Sequence, residues 1–117
     1  MQRKVVAAHK FAGNASWLTV GIVVSEYNPA ITESLLAGAL EILHEAGVGP
    51  RNIHVSRVAG SFEIPFGCLQ LIKKRKVDTV IALGCIVRGE TKHDEYIAHA
   101  VAQGIMEVSL KRGVPIA

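Results

Sequence analysis

Thr19-Val20-Gly21-Ile22-Val23-Val24-Ser25 decides the fold, because five of its seven residues are β-branched and no polar residue alternates with them. A strand covered on both faces reads this way, which predicts a central strand of a parallel sheet. Outward from it, Glu26-Tyr27-Asn28-Pro29 makes a connector, and apolar residues then fall at Ile31, Leu35, Ala39, Ile42 and Ala46 before Gly47. That spacing predicts a helix with a glycine stop. The alternation repeats downstream. Ile53 to Val58 is a second strand, and Ser61 is placed to cap a helix running through Ile64, Cys68 and Leu71 to Lys73-Lys74-Arg75-Lys76, with Pro65 tolerated in its first turn. Val77 to Gly84 is a third strand, and Ile97, Val101, Ile105 and Val108 mark a third helix closing at Gly113.

Strand and helix in regular alternation predict an α/β fold: a three-layer αβα sandwich on a parallel sheet with right-handed crossovers. Val114-Pro115-Ile116-Ala117 reads as the opening of a fourth strand. Three helices shared between two sheet faces leave one face with a single helix, so apolar sheet surface is expected to need a further C-terminal part or a covering partner.

The chain has 117 residues, half of them hydrophobic, which suits one domain with a sizeable core. Its formal charge of +3 is mixed along the sequence and falls short of a nucleic-acid footprint. The Lys73–Lys76 run sits at a helix end, where cations complement the dipole. Cys68 and Cys85 lie in apolar surroundings without metal-ligand spacing, so both read as free thiols of a reducing compartment, with the cytoplasm as the default. No signal peptide is evident and no apolar run reaches membrane-spanning length. Residues 1–16 are set apart from the domain of residues 17–117 and read as a detachable tail or as an arm for a neighbour.

In doubly wound sheets ligands bind outside the carboxyl ends of the strands, so the strand-to-helix loops are the places to search. The third loop, Cys85-Ile86-Val87-Arg88-Gly89-Glu90-Thr91-Lys92-His93, carries the sharpest signal. Gly89 permits close approach of backbone to a ligand, and the following helix start offers N–H groups to an anion such as phosphate. Thr91 adds a hydroxyl there, or simply caps the helix. His93 falls in the first helical turn, where an imidazole of reference pKa about 6.5 can pass protons near neutral pH. His9, His44, His54 and His99 show no pairing with it that would suggest a metal site. In the second loop, Phe62 and Glu63 suit a flat heterocycle with amide or amine donors; core filling and a dipole partner are the competing readings. Tyr27 either stacks on the same ring or covers the core. Glu26 would repel a phosphate in the first loop, which argues against a flavin- or nucleotide-binding module.

Two stretches, Gly60-Ser61-Phe62-Glu63-Ile64-Pro65 and Leu83-Gly84-Cys85-Ile86-Val87-Arg88-Gly89-Glu90-Thr91-Lys92-His93, together with Tyr27-Asn28, resemble the lumazine synthase family. The match runs in register from about Val20 to Ala117. The resemblance implies a flavodoxin-like sandwich and a condensation of 5-amino-6-ribitylaminouracil with 3,4-dihydroxy-2-butanone 4-phosphate. That chemistry passes through imine formation, phosphate elimination and ring closure without cofactor or metal. By motif position, Tyr27, Ser61, Phe62, Glu63, Cys85, Ile86 and Val87 would hold the pyrimidine and its ribityl chain, Glu90 and Thr91 the phosphate-bearing substrate, and His93 would transfer protons. The family also implies a homo-oligomer, a pentamer or a 60-subunit icosahedral shell, with active sites between subunits and an N-terminal strand lent to a neighbour. Ala59 stands where the family usually has proline, Asp94 where an aromatic often follows the histidine, and the match stops short of the family's last third. A non-catalytic scaffold that keeps the fold is the competing expectation.

Overall fold

A computed structural model describes residues 13–89 and 92–117. Its elements alternate as the sequence pattern predicts: β1 (Val20–Ser25), α1 (Pro29–Glu45), β2 (Ile53–Val58), α2 (Ile64–Lys74), β3 (Thr79–Leu83) and α3 (His93–Arg112). Short 3₁₀ turns at Pro50–Asn52 and Ser61–Glu63 precede β2 and α2.

The three strands form one parallel sheet in the order β2-β1-β3. β1 is therefore central, and its side chains explain why. Val20, Ile22, Val23 and Val24 are fully buried, each burial contributing roughly 1.5–3 kcal/mol. Successive side chains point to opposite faces. Val20, Ile22 and Val24 meet Leu36, Leu43 and Ala46 of α1's end of the fold on one face. Val23 meets Ile64, Cys68 and Leu71 of α2 on the other, with Ile105 and Val108 of α3 packed against them. Helices thus cover both faces, two of them on the α2 side.

The expected fourth strand is corrected. The described residues contain three strands, and the segment after Gly113 joins the sheet through a single parallel bridge between Ile116 and Val80. Its hydrogen bonds are Val80 N–H to Pro115 O at 3.0 Å, Ala117 N–H to Val80 O at 2.9 Å and Ala82 N–H to Ala117 O at 2.7 Å. Pro115 has no N–H to donate, so the pairing starts at its carbonyl, and these three backbone bonds follow the alternating pattern of a parallel pair.

The helix ends follow local chemistry. α1 starts at Pro29, whose fixed φ suits a first turn, after Asn28 in the left-handed region at φ 59°. α3 stops at Gly113, which takes φ 66°. None of α3's 20 residues is buried; Val101, Ile105 and Val108 are half-buried along one side. Residues 13–16 run against the end of α1, where Ala15 is buried and its N–H bonds Ala46 O at 2.8 Å. Residues 1–12 lie outside the described residues.

Candidate active site

Parallel strands deliver their loops to one edge of the sheet, and here the loops after β1, β2 and β3 converge on a cavity of about 270 Å³. Tyr27 comes from the first loop, Gly60, Ser61, Phe62 and Glu63 from the second, and Cys85, Ile86, Val87 and Gly89 from the third. His93, Asp94 and Ile97 complete the lining from the first turns of α3. A second depression, lined by Leu40, His44, Val48, Pro50, Ile53 and Val55, lies away from this edge and holds none of these loops.

All seven residues expected to hold a heterocycle, Tyr27, Ser61, Phe62, Glu63, Cys85, Ile86 and Val87, line the one cavity together with His93. Glu90 and Thr91, expected at a phosphate group, lie outside the described residues. Asp94, Ile97 and Gly60 join the lining without having been singled out as site residues. Ile97 was legible in principle, since it lies four residues after His93 and so shares its helical face.

Several competing readings are decided by exposure. Phe62 is 64% exposed, so it is no core filler, and Tyr27, at 56%, opens toward the cavity mouth. Large aromatic faces left in solvent at a concave site suit stacking on a planar ring. Glu63 is anchored at one end: its Oε2 accepts the Gly60 N–H at 3.1 Å, while its own N–H donates to Gly60 O at 3.1 Å. The anchored carboxylate is left facing the cavity as an acceptor for amine or amide N–H groups.

The expectation that Ser61 caps the second helix is corrected. Ser61 is buried and its hydroxyl donates to Cys85 O at 3.2 Å, so the helix begins after a 3₁₀ turn closed by Gly60 and Glu63 instead. Asn28 donates from Nδ2 to the Cys85 thiol at 3.8 Å, a weak bond between the first and third loops. Gly89 meets no other atom within 4 Å of where a Cβ would stand, so no contact inside the chain requires a glycine there. The two thiols differ. Cys85 is half-buried in the cavity wall, whereas Cys68 is fully buried on the inner face of α2 and desolvation pushes its pKa up to about 11.

Among the described residues no three His, Cys, Asp or Glu side chains cluster as metal ligands. No helix among them is long and apolar enough to cross a membrane. The arrangement offers aromatic and aliphatic walls, one anchored carboxylate and one imidazole, which together fit a small planar molecule with polar edges and a proton to move.

The model of the 6,7-dimethyl-8-ribityllumazine synthase family matches residues 17–117. A 6,7-dimethyl-8-ribityllumazine synthase of Parabacteroides distasonis is 49% identical over 102 residues, covering 87% of this chain and 64% of the relative. One from Phocaeicola vulgatus is 47% identical over 103 residues, covering 88% and 61%. One from Pyrococcus furiosus is 44% identical over 99 residues, covering 85% and 61%. The chain spans less than two thirds of the length of these relatives. With a family model matched over nearly all of its described fold, this chain belongs to the 6,7-dimethyl-8-ribityllumazine synthase family.

Proposed function

We propose that this chain carries the pyrimidine-binding and proton-transfer side of a lumazine synthase active site. The reaction joins 5-amino-6-(D-ribitylamino)uracil to 3,4-dihydroxy-2-butanone 4-phosphate, giving 6,7-dimethyl-8-ribityllumazine with release of water and phosphate. One observation carries the reading: three loops distant in sequence bring Tyr27, Phe62, Glu63, Cys85–Val87 and His93 around one cavity. In the proposed roles, Tyr27 and Phe62 stack on the pyrimidine, Glu63 accepts its N–H donors, and Ser61 with the walls at Cys85, Ile86 and Val87 holds the ring and ribityl chain. Glu90 and Thr91 hold the phosphate-bearing substrate. His93 takes and returns protons as the amine attacks the ketone, as phosphate leaves and as the ring closes.

The same proposal includes assembly as a homo-oligomer, pentamer or shell, in the cytoplasm; of the arm expected over residues 1–16, only the part ahead of Gly13 is proposed to reach a neighbour, because residues 13–16 pack on their own chain. Trp17, Ile42, Phe66 and Leu110 support it, as large apolar side chains left exposed on a single chain. The test mixes the protein with both substrates and follows the fluorescent lumazine product. Product formation above the uncatalysed rate is the expected result. A folded, assembled protein that neither turns over nor binds a ribitylamino-pyrimidine would favour a scaffold instead.

A further inference from the structure

Asp94 is a carboxylate in the cavity lining that the roles above leave without a task. The other carboxylate of the lining, Glu63, is tied down, since its Oε2 accepts the Gly60 N–H at 3.1 Å. Among the described residues no side-chain hydrogen bond or ion pair ties Asp94 in this way, and the one ion pair among them joins Arg57 to Glu33. Asp94 is half-buried, whereas Glu95, the other acid in the first turn of α3, is exposed and stands outside the lining. Complementing the helix dipole accounts for an acid at either position, but not for the place of Asp94 in the cavity wall.

Its position along α3 fixes which part of a ligand Asp94 meets. His93, Asp94 and Ile97 line the cavity together. Residues three and four apart are neighbours on a helix surface, so Asp94 shares one strip of α3 with the imidazole. An ionised carboxylate only accepts hydrogen bonds. It therefore favours an amine, and disfavours a carbonyl, nitro or phosphate oxygen at the same place. In 5-amino-6-(D-ribitylamino)uracil the group that must come to His93 is the 5-amine, because its protons are removed as it attacks the ketone.

We infer that Asp94 is a substrate-orienting residue at the reacting end of the cleft, where its carboxylate accepts a hydrogen bond from the 5-amino group. The inference rests on the pyrimidine reading of the cavity and adds a contact to it. With one N–H held by Asp94, the nitrogen lone pair is directed away from the carboxylate and is free to attack. Orientation of this kind lowers the barrier of a condensation. No proton passes to Asp94 in this role, and His93 keeps that task.

Two ligands that differ only at the 5-position separate this contact from a general one. One is the 5-amino substrate itself, without the ketone and under nitrogen. The other is 5-nitro-6-(D-ribitylamino)uracil, which presents oxygens in place of the amine hydrogens. Both are titrated into the protein and its Asp94→Ala, Asp94→Asn and Glu95→Gln variants. In Asp94→Ala the amine is expected to bind about tenfold more weakly, the scale of one hydrogen bond to a charged group. The nitro compound binds as tightly as before or more tightly, since a repulsion between negative groups is relieved. Asp94→Asn, which keeps the volume and removes the charge, shifts the preference in the same direction. Glu95→Gln removes a first-turn charge from the same helix and leaves the preference between the ligands unchanged. A preference that moves by less than threefold in the Asp94 variants overturns the inference, and so does an equal shift in Glu95→Gln. If the unsubstituted protein binds neither ligand, the pyrimidine reading itself fails and the contact fails with it.

Discussion

Thr19 and Asp78 exchange two hydrogen bonds just before β1 and β3 begin: Thr19 N–H donates to Asp78 Oδ2 at 2.8 Å, and Asp78 N–H donates to Thr19 O at 2.8 Å. The pair immediately precedes the first ladder partners, Val20 and Thr79, and so sets the register of the two strands. Asp78→Ala keeps the backbone bond and removes the carboxylate. Because the bond is exposed, the expected loss is about 1 kcal/mol, read as a lower urea midpoint with an unchanged denaturant slope.

Gly104 of α3 meets Pro65 at the start of α2, and a Cβ at Gly104 would lie 2.7 Å from Pro65 Cγ. A larger residue must push the helices apart, and α3 carries His93 at its first turn. Gly104→Val is expected to destabilise the fold by about 1–3 kcal/mol, as overpacking generally does, and to weaken ribitylamino-pyrimidine binding as well. Thermal unfolding and titration of the same sample separate the two effects.

The thiols give a test that needs no substrate. A disulfide reagent at neutral pH should label Cys85, in the cavity wall, and spare Cys68 until the protein unfolds. Burial pushes the Cys68 pKa up to about 11, from an ordinary value of 9.0. The folded chain therefore keeps a proton that the unfolded chain releases, and stability falls as pH rises through that interval, by up to about 1.4 kcal/mol per pH unit. Below pH 9 this contribution is fully present. Cys68→Ala lacks it, so the stability gap between the two proteins narrows between pH 9 and 11 in urea titrations.

His93→Ala should lower turnover about 10²- to 10⁴-fold, the span of a general acid–base group, while the Kd of a ribitylamino-pyrimidine analogue shifts less than threefold. A loss of under tenfold would remove His93 from proton transfer.

The fold was legible from a few strongly patterned segments. Thr19–Ser25 announces a strand covered on both faces, and the structure buries its Val20–Ser25 part on both. Gly47 and Gly113 mark helix stops, and both take positive φ. The helix start at His93 and the cavity positions of Tyr27, Phe62 and Glu63 followed from loop placement and motif. What periodicity could not convey was hydrogen bonding between distant segments. Ser61 has the right type for a cap, yet its hydroxyl goes to a carbonyl 24 residues away. The residues after Gly113 join the sheet through one bridge beside β3, and which sheet edge takes a segment is a matter of tertiary pairing that local preference does not convey. Asp94 entered the cavity lining from the helix turn that aims His93, a consequence of three-dimensional aim that sequence spacing leaves open.

β1 hydrogen-bonds β2 along one side and β3 along the other, and the second and third loops leave from those two neighbours. A change such as Val23→Ala, made under α2 at the middle of the sheet, would therefore disturb both walls of the cleft together. Tolerance to substitution should be lowest in a segment that touches no ligand, and variants selected for a tighter core there will also alter which molecules fit.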